Sequence, residues 1–375
     1  MATPPSLPSA LESHLLQAIA DSGGWITFER FMELALYTPG LGYYARGSAQ
    51  FGRMPSGVEG RGSDFVTAPE MSPFFGRALA AQVAQALQVT QTREVWEFGA
   101  GSGALAAQLL EALGDWVDNY TIVDLSGSLR QRQREALGVY GAKLRWVGKL
   151  PATLRGVVIG NEVLDAMPVK LLVRKNLVWH ERGVASGPGH APAWEDRAST
   201  LRPPLAIEGQ HDYLTEVHPV AEGFVRTLAE RLEQGAAFFI DYGFPEREYY
   251  HGQRAMGTVM CHRAHRMDGD PLVDVGHKDI TAHVNFTGLA LAAQEAGGDT
   301  GRSRFGVLGY TTQARFLMNC GLLPMLEQAT LQERAMAQKL VMEHEMGELF
   351  KVIGFFKGLP WDAVGFSQGD RTHTL

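Results

Sequence analysis

Cysteine is nearly absent from this chain of 375 residues, with Cys261 and Cys320 the only two. Two cysteines exclude a disulfide framework. Cys261, His262 and His265 lie close together, but no second ligand pair has metal-ligand spacing, so no metal site is expected. No apolar run reaches the length of a membrane helix. No Lys or Arg precedes Arg30, whereas Glu12, Asp21 and Glu29 do. A secretory signal opens on a basic region, and a mitochondrial transit peptide is Arg-rich and acid-poor. The expectation is therefore a cytoplasmic protein. Positive charge is in deficit, with a formal net charge of −7, which argues against nucleic acid as a partner. Internal repeats are also missing.

What is present is glycine in one telling place. Residues 95–104 read V-W-E-F-G-A-G-S-G-A. A strand leads into Gly99, Gly101 and Gly103, and a helix follows over 105–113. Such a turn lets a ligand approach backbone N–H groups beside the positive end of a helix. Glu97 gives the turn its sign. A carboxylate two residues before the first glycine repels a phosphate and attracts an ammonium group, such as the one on S-adenosylmethionine (SAM). Gly99, Gly101 and Ala104 also satisfy the dinucleotide fingerprint, so a nicotinamide or flavin oxidoreductase is the rival reading. Glu97 speaks against that rival, as does the lack of a Tyr-x-x-x-Lys pair. Asp124 ends a second short strand about 20 residues further on, where an acidic side chain takes ribose hydroxyls. Its alternative role is an N-cap for a helix over 126–137.

With 45% hydrophobic residues the chain can bury a substantial core. Residues 1–10 form a Pro- and Ser-containing arm, and a helical N-terminal region covers 11–92, with helices over 11–20, 28–37 and 73–89. The Rossmann-like core spans 93–245. Its strands are expected at 94–98, 120–123, 144–146, 156–160 and 236–240. Strands alternating with helices predict an α/β chain with a parallel sheet wound on both faces. A hairpin insertion occupies 170–204, and 224–234 reads as the crossover helix into the fifth strand. Residues 246–278 are an insertion over the carboxyl ends of the strands, because they are too long for a connection. The C-terminal part, 279–358, carries helices over 279–296 and 311–319 and a last strand over 350–356. A tail covers 359–375.

Seven segments then occur in one order: G-x-G-Y-Y at 40–44, D-F-V-T-A-P-E at 64–70, W-E-F-G-A-G-S-G at 96–103, N-E-V-L-D-A-M-P-V at 161–169, F-F-I-D-Y-G at 238–243, D-I-T-A-H-V-N-F at 279–286 and M-G-E-L-F-K-V at 346–352. From about residue 11 to 358 the chain resembles the family of the mitochondrial complex I assembly factor that methylates arginine, together with its bacterial relatives. The resemblance implies a class I SAM-dependent methyltransferase fold, a seven-stranded sheet whose last strand is antiparallel. It also implies SAM as cofactor and a protein substrate, of which a respiratory-complex subunit is one instance.

Glu97, Gly99, Gly101, Gly103 and Asp124 would hold the methyl donor, with Thr67, Ala68, Pro69 and Glu70 as a second wall. Asn161, Glu162 and Asp165 follow the fourth strand, which in such folds faces the methyl group. The sequence there lacks the Asn/Asp-Pro-Pro-aromatic motif of enzymes that methylate DNA or amide nitrogens. Two carboxylates three residues apart can instead grip a guanidinium. Asp241 and His283 are further pocket candidates. A non-catalytic assembly factor that keeps the pocket only as structure is the remaining alternative.

Overall fold

The computed structural model describes residues 9–46, 67–124, 126–263, 266–298 and 304–375. Most of the arm at 1–10, the glycine-rich stretch at 50–63, residues 64–66 of the D-F-V-T-A-P-E segment and His265 lie outside the described residues. No described helix is long and apolar enough to cross a membrane.

The chain forms two compact units, and it passes between them repeatedly. One comprises residues 1–48, 166–220 and 250–282; the other comprises 49–165, 221–249 and 283–375. The units therefore interleave, where the sequence pattern drew linear boundaries at 92, 245 and 278.

The larger unit is built on strands β1 (Glu94–Phe98), β2 (Asn119–Val123), β3 (Leu144–Val147), β4 (Leu154–Asn161), β5 (Leu232–Phe244), β6 (Phe305–Thr312) and β7 (Phe350–Lys357). Their spatial order is β6-β7-β5-β4-β1-β2-β3, and the two-residue strand Val284–Asn285 adds to β5. Strands β1 to β5 pair in parallel. The last strand, β7, runs antiparallel to both β5 and β6, as the resemblance implies. Successive side chains of β5 alternate between faces. Phe238 and Ile240 join the core under helices Pro73–Thr90 and Ala104–Leu113. Phe239 points the other way, 5.6 Å from Phe224 of helix Pro219–Arg231. Both faces are thus covered, which is why β4 and β5 read as nearly continuous apolar runs.

The smaller unit has its own core, in which Leu15 and Ile19 of helix Ala10–Asp21 and Phe28 and Phe31 of helix Phe28–Tyr37 pack with Val184 and Ile280. Its antiparallel sheet orders Trp25–Thr27, Val178–Ser186, Lys170–Lys175 and Tyr213–Val217.

Four elements depart from the sequence pattern. The helix expected over 279–296 is Phe286–Ala296, capped by Asn285. Asp279–Thr281 is a strand of the smaller unit, and the Asp279 carboxylate accepts from Tyr44 Oη. The β-branched Ile280 and Thr281 favour that outcome. The crossover helix runs Pro219–Arg231, earlier than 224–234, because β5 begins at Leu232. The polar stretch within 183–204 contains a strand, Pro192–Ala198, that pairs with Val178–Ser186. Strand β6 escaped notice because Gly306 and Gly309 dilute its pattern. A Cβ on Gly309 would lie 2.2 Å from the Phe366 ring, so packing, not backbone preference, chose that glycine.

Candidate active site

Sheet order and register bring the expected site residues together. The order reverses between β1 and β4, which opens a crevice at their carboxyl ends. Phe98 is level with Gly160 and with Val123, and Asn161 is level with Ile240. The turns after β1, β2, β4 and β5 therefore meet at one place. A Cβ on Gly99 would come within 3.0 Å of Val163 Cγ2, so the turns after β1 and β4 touch.

Gly99, Gly101 and Gly103 all take left-handed backbone angles, with φ of 61°, 53° and 88°. A side chain is strained at each, which accounts for the alternation in the sequence. Gly103 also caps helix Ala104–Leu113.

Glu97 is 2% exposed, and its Oε2 accepts from Tyr120 Oη at 2.7 Å. Burial pushes its carboxyl up to about 8, against the pull of the Tyr120 hydroxyl. Asp124 does not cap the following helix. Ser126 does, through its side chain. Asp124 Oδ1 instead accepts from Ser126 N–H at 2.8 Å and Oδ2 from Gln133 Nε2 at 2.8 Å. The same Gln133 amide donates to Gly101 O at 3.1 Å, which links the Asp124 carboxylate to the glycine turn.

Thr67 precedes a single helical turn, Ala68–Met71. Gln108 donates to Pro69 O at 2.6 Å. Glu70 takes a hydrogen bond from Ser102, within the glycine turn, and the Glu162 carboxylate takes one from the Ala68 N–H. This segment is thereby tied to the turns after β1 and after β4.

The turn after β4 is unusual in its backbone. Glu162 has φ 54°, a left-handed angle that costs a residue with a Cβ about 1–2 kcal/mol. Its N–H donates to Ile240 O at 2.9 Å. Asp241 Oδ2 then accepts from the N–H groups of Val163, Leu164 and Asp165 at 3.1, 2.9 and 3.2 Å, and Oδ1 from Tyr242 N–H at 2.9 Å. Asp241 thus serves the backbone. Asn161 Nδ2 donates to Glu162 Oε1 at 3.0 Å, and Tyr242 Oη donates to Asp165 Oδ2 at 2.5 Å. His283 packs edge-on against Tyr242, with ring centroids 5.1 Å apart.

Carboxyl groups crowd together here. Burial, then Asp165, pushes Glu162 up to about 8. Burial, then Asp165 and Glu162, holds Asp241 well above the usual carboxylate range, and burial raises Glu70. Among the described residues no cation figures in the charges acting on Glu70, Glu97, Glu162 or Asp241. Among the described residues the buried Asn161 Oδ1 and Glu70 Oε2 find no hydrogen-bond partner. Buried acceptors and crowded, raised carboxyls suit a ligand that brings donors and positive charge. The amino group, sulfonium and ribose hydroxyls of SAM meet that demand. Cys261, by contrast, is buried in the smaller unit with its thiol pushed up to about 12 by burial.

Sequence reading missed Tyr120, Gln133, Ser102 and Tyr242. One signal existed for Gln133. It stands four residues from both Leu129 and Leu137, on the buried face of helix Gly127–Leu137, and is fully buried. A polar residue on an apolar helical stripe needs a buried partner.

A crystal structure of a superfamily member from Burkholderia thailandensis, bound to S-adenosyl-homocysteine, is 48% identical, with a TM-score of 0.90 and full coverage of both chains. A native crystal structure from the same organism gives 47% identity and a TM-score of 0.87, again over both full chains. The human protein arginine methyltransferase NDUFAF7, mitochondrial, is 26% identical over 96% of this chain and 84% of its own length. The Caenorhabditis elegans homolog is 25% identical over 94% of this chain and 87% of its own. The family model described as "Putative S-adenosyl-L-methionine-dependent methyltransferase" matches residues 78–303. The chain belongs to that family, and SAM is its cofactor.

Proposed function

We propose that this methyltransferase acts on a protein, at an arginine side chain. The observation that carries the reading is the acidic turn after β4, in which Asn161, Glu162 and Asp165 gather with no described cation acting on Glu162. A guanidinium brings the missing charge, and its planar fork suits two carboxylates. The relatives named protein arginine methyltransferases support the same acceptor.

In this reading the two sides of the crevice divide the labour. Glu97, the three glycines, Asp124 and the 67–70 segment hold the donor. Asn161, Glu162 and Asp165 hold the acceptor. The bound cofactor supplies a methyl group on a positively charged sulfur. The S–CH3 bond breaks as the N–CH3 bond forms, and the nitrogen loses one proton, which a neighbouring carboxylate can take. The protein's own task is to align the acceptor nitrogen and keep water out.

The test is transfer of labelled methyl from SAM to extract of cells lacking this protein, followed by mass spectrometry of the product. The double variant Glu162→Ala, Asp165→Ala should keep S-adenosyl-homocysteine affinity within about threefold while transfer falls about 100-fold or more. Full activity in the double variant would remove the pair as the acceptor clamp. A methyl group on a residue other than arginine would overturn the acceptor and leave fold and cofactor standing.

A further inference from the structure

Two consecutive residues at the end of β5 act on the turn after β4. Asp241 fixes its backbone through three N–H groups. Tyr242 reaches its side chain, donating from Oη to Asp165 Oδ2 at 2.5 Å. That length is typical of a hydroxyl on an ionised carboxylate. The Tyr242 ring has little room to swing. His283 meets it edge-on at 5.1 Å and 79°, and Phe350 at 5.3 Å and 76°.

The setting makes one such bond consequential. Among the described residues of this unit, titratable groups around the pair include Glu162 in the same turn, Asp241 from β5, Glu70 from the 68–71 turn, and His283 against the Tyr242 ring. Carboxylates this crowded share protons as a group unless something favours the charge on one of them. Among the described residues Glu162 takes hydrogen bonds from an amide side chain and a backbone N–H, and it stays pushed up to about 8.

We propose that Tyr242 is a positioning residue for methyl transfer, whose hydroxyl localises negative charge on Asp165 and aims that carboxylate at a cationic acceptor. Asp165 is then the anchor of the clamp and Glu162 the member that changes charge as the acceptor arrives. This inference rests on the arginine reading for the acceptor's identity, but the charge placement is testable without an acceptor.

The experiment follows the carboxyl carbon of Asp165 by carbon-13 NMR in protein labelled at aspartate and saturated with S-adenosyl-homocysteine. The signal is assigned by its loss in D165N. In the wild type it should hold the shift of an ionised carboxylate from about pH 6 to about pH 8, and in Y242F its midpoint should rise by about one pH unit or more. If Y242F does not fold, 3-fluorotyrosine at position 242 keeps the ring and makes the hydroxyl a stronger donor, and the midpoint should then fall. A midpoint unmoved by either change would overturn the proposal. In the labelled-methyl assay the double variant D165N/Y242F should be no slower than D165N alone; an additive loss would reduce Tyr242 to a packing role. A methyl group found elsewhere than on arginine would sink the acceptor assignment while leaving the NMR result to decide the role of Tyr242.

Discussion

Glu97 lies near the end of β1, two residues before the first glycine of the turn, and in the proposed reading its charge state sets how tightly the donor is held. With its carboxyl pushed up to about 8 and its Oε2 on Tyr120 Oη, it carries a proton at neutral pH in the free protein. A ligand ammonium placed against it favours the ionised form, so binding releases that proton. Affinity for S-adenosyl-homocysteine should therefore rise from about pH 6 to about pH 8 and level off above. Calorimetry at pH 7 in two buffers of different ionisation enthalpy should report proton release, and Glu97→Gln should abolish the release and flatten the profile. An unchanged pH dependence in that variant would place the ammonium elsewhere. Here the sequence singled out the residue by its place before the glycine turn. That the carboxyl would be buried on a tyrosine came only from the adjacency of β1 and β2.

At the scale of elements, the β4 turn is held by the end of β5. Three successive N–H groups converge on one carboxylate oxygen of Asp241, a fully buried residue. Removing that acceptor leaves the donors without a partner and releases the left-handed backbone at Glu162. Asp241→Ala should destabilise the protein by about 3 kcal/mol, read by denaturant unfolding of the cofactor-saturated protein. Asp241→Asn keeps an acceptor oxygen, and the native carboxyl is held well above the usual range, so the amide should cost much less. Equal losses in the two variants would show that charge, not the acceptor, holds the turn. The strands themselves were legible from their apolar runs. The clamp was not, because residues 163–165 and 241 lie about 76 positions apart and meet only through the β4–β5 register.

For the molecule as a whole, the site makes stability depend on pH in an uncommon direction. Glu97 and Glu162 rise from an ordinary 4.5 to about 8, and Asp241, Asp124 and Glu70 are raised as well. Between about pH 4.5 and pH 8 the native state then binds more protons than the unfolded chain, and stability falls as pH rises through that window. The melting temperature of the cofactor-free protein should drop from about pH 6 to about pH 8, and S-adenosyl-homocysteine should reduce the slope by stabilising ionised Glu97. A melting temperature that climbs over this range would show that the carboxylates are not held protonated.

The amino-acid sequence by itself determined the strand, glycine turn and helix around Gly99, Gly101 and Gly103, since local backbone angles demand those residues. It likewise determined the β1 to β5 pattern, since buried parallel strands need apolar runs. The tertiary structure alone decided that Asp241 would serve backbone amides, that Tyr242 would hold Asp165, and that each compact unit would be assembled from segments far apart in the chain. The physical reason is range. Helix and turn signals are written over three or four residues, whereas a hydrogen bond between neighbouring strands depends on a register set by the whole sheet.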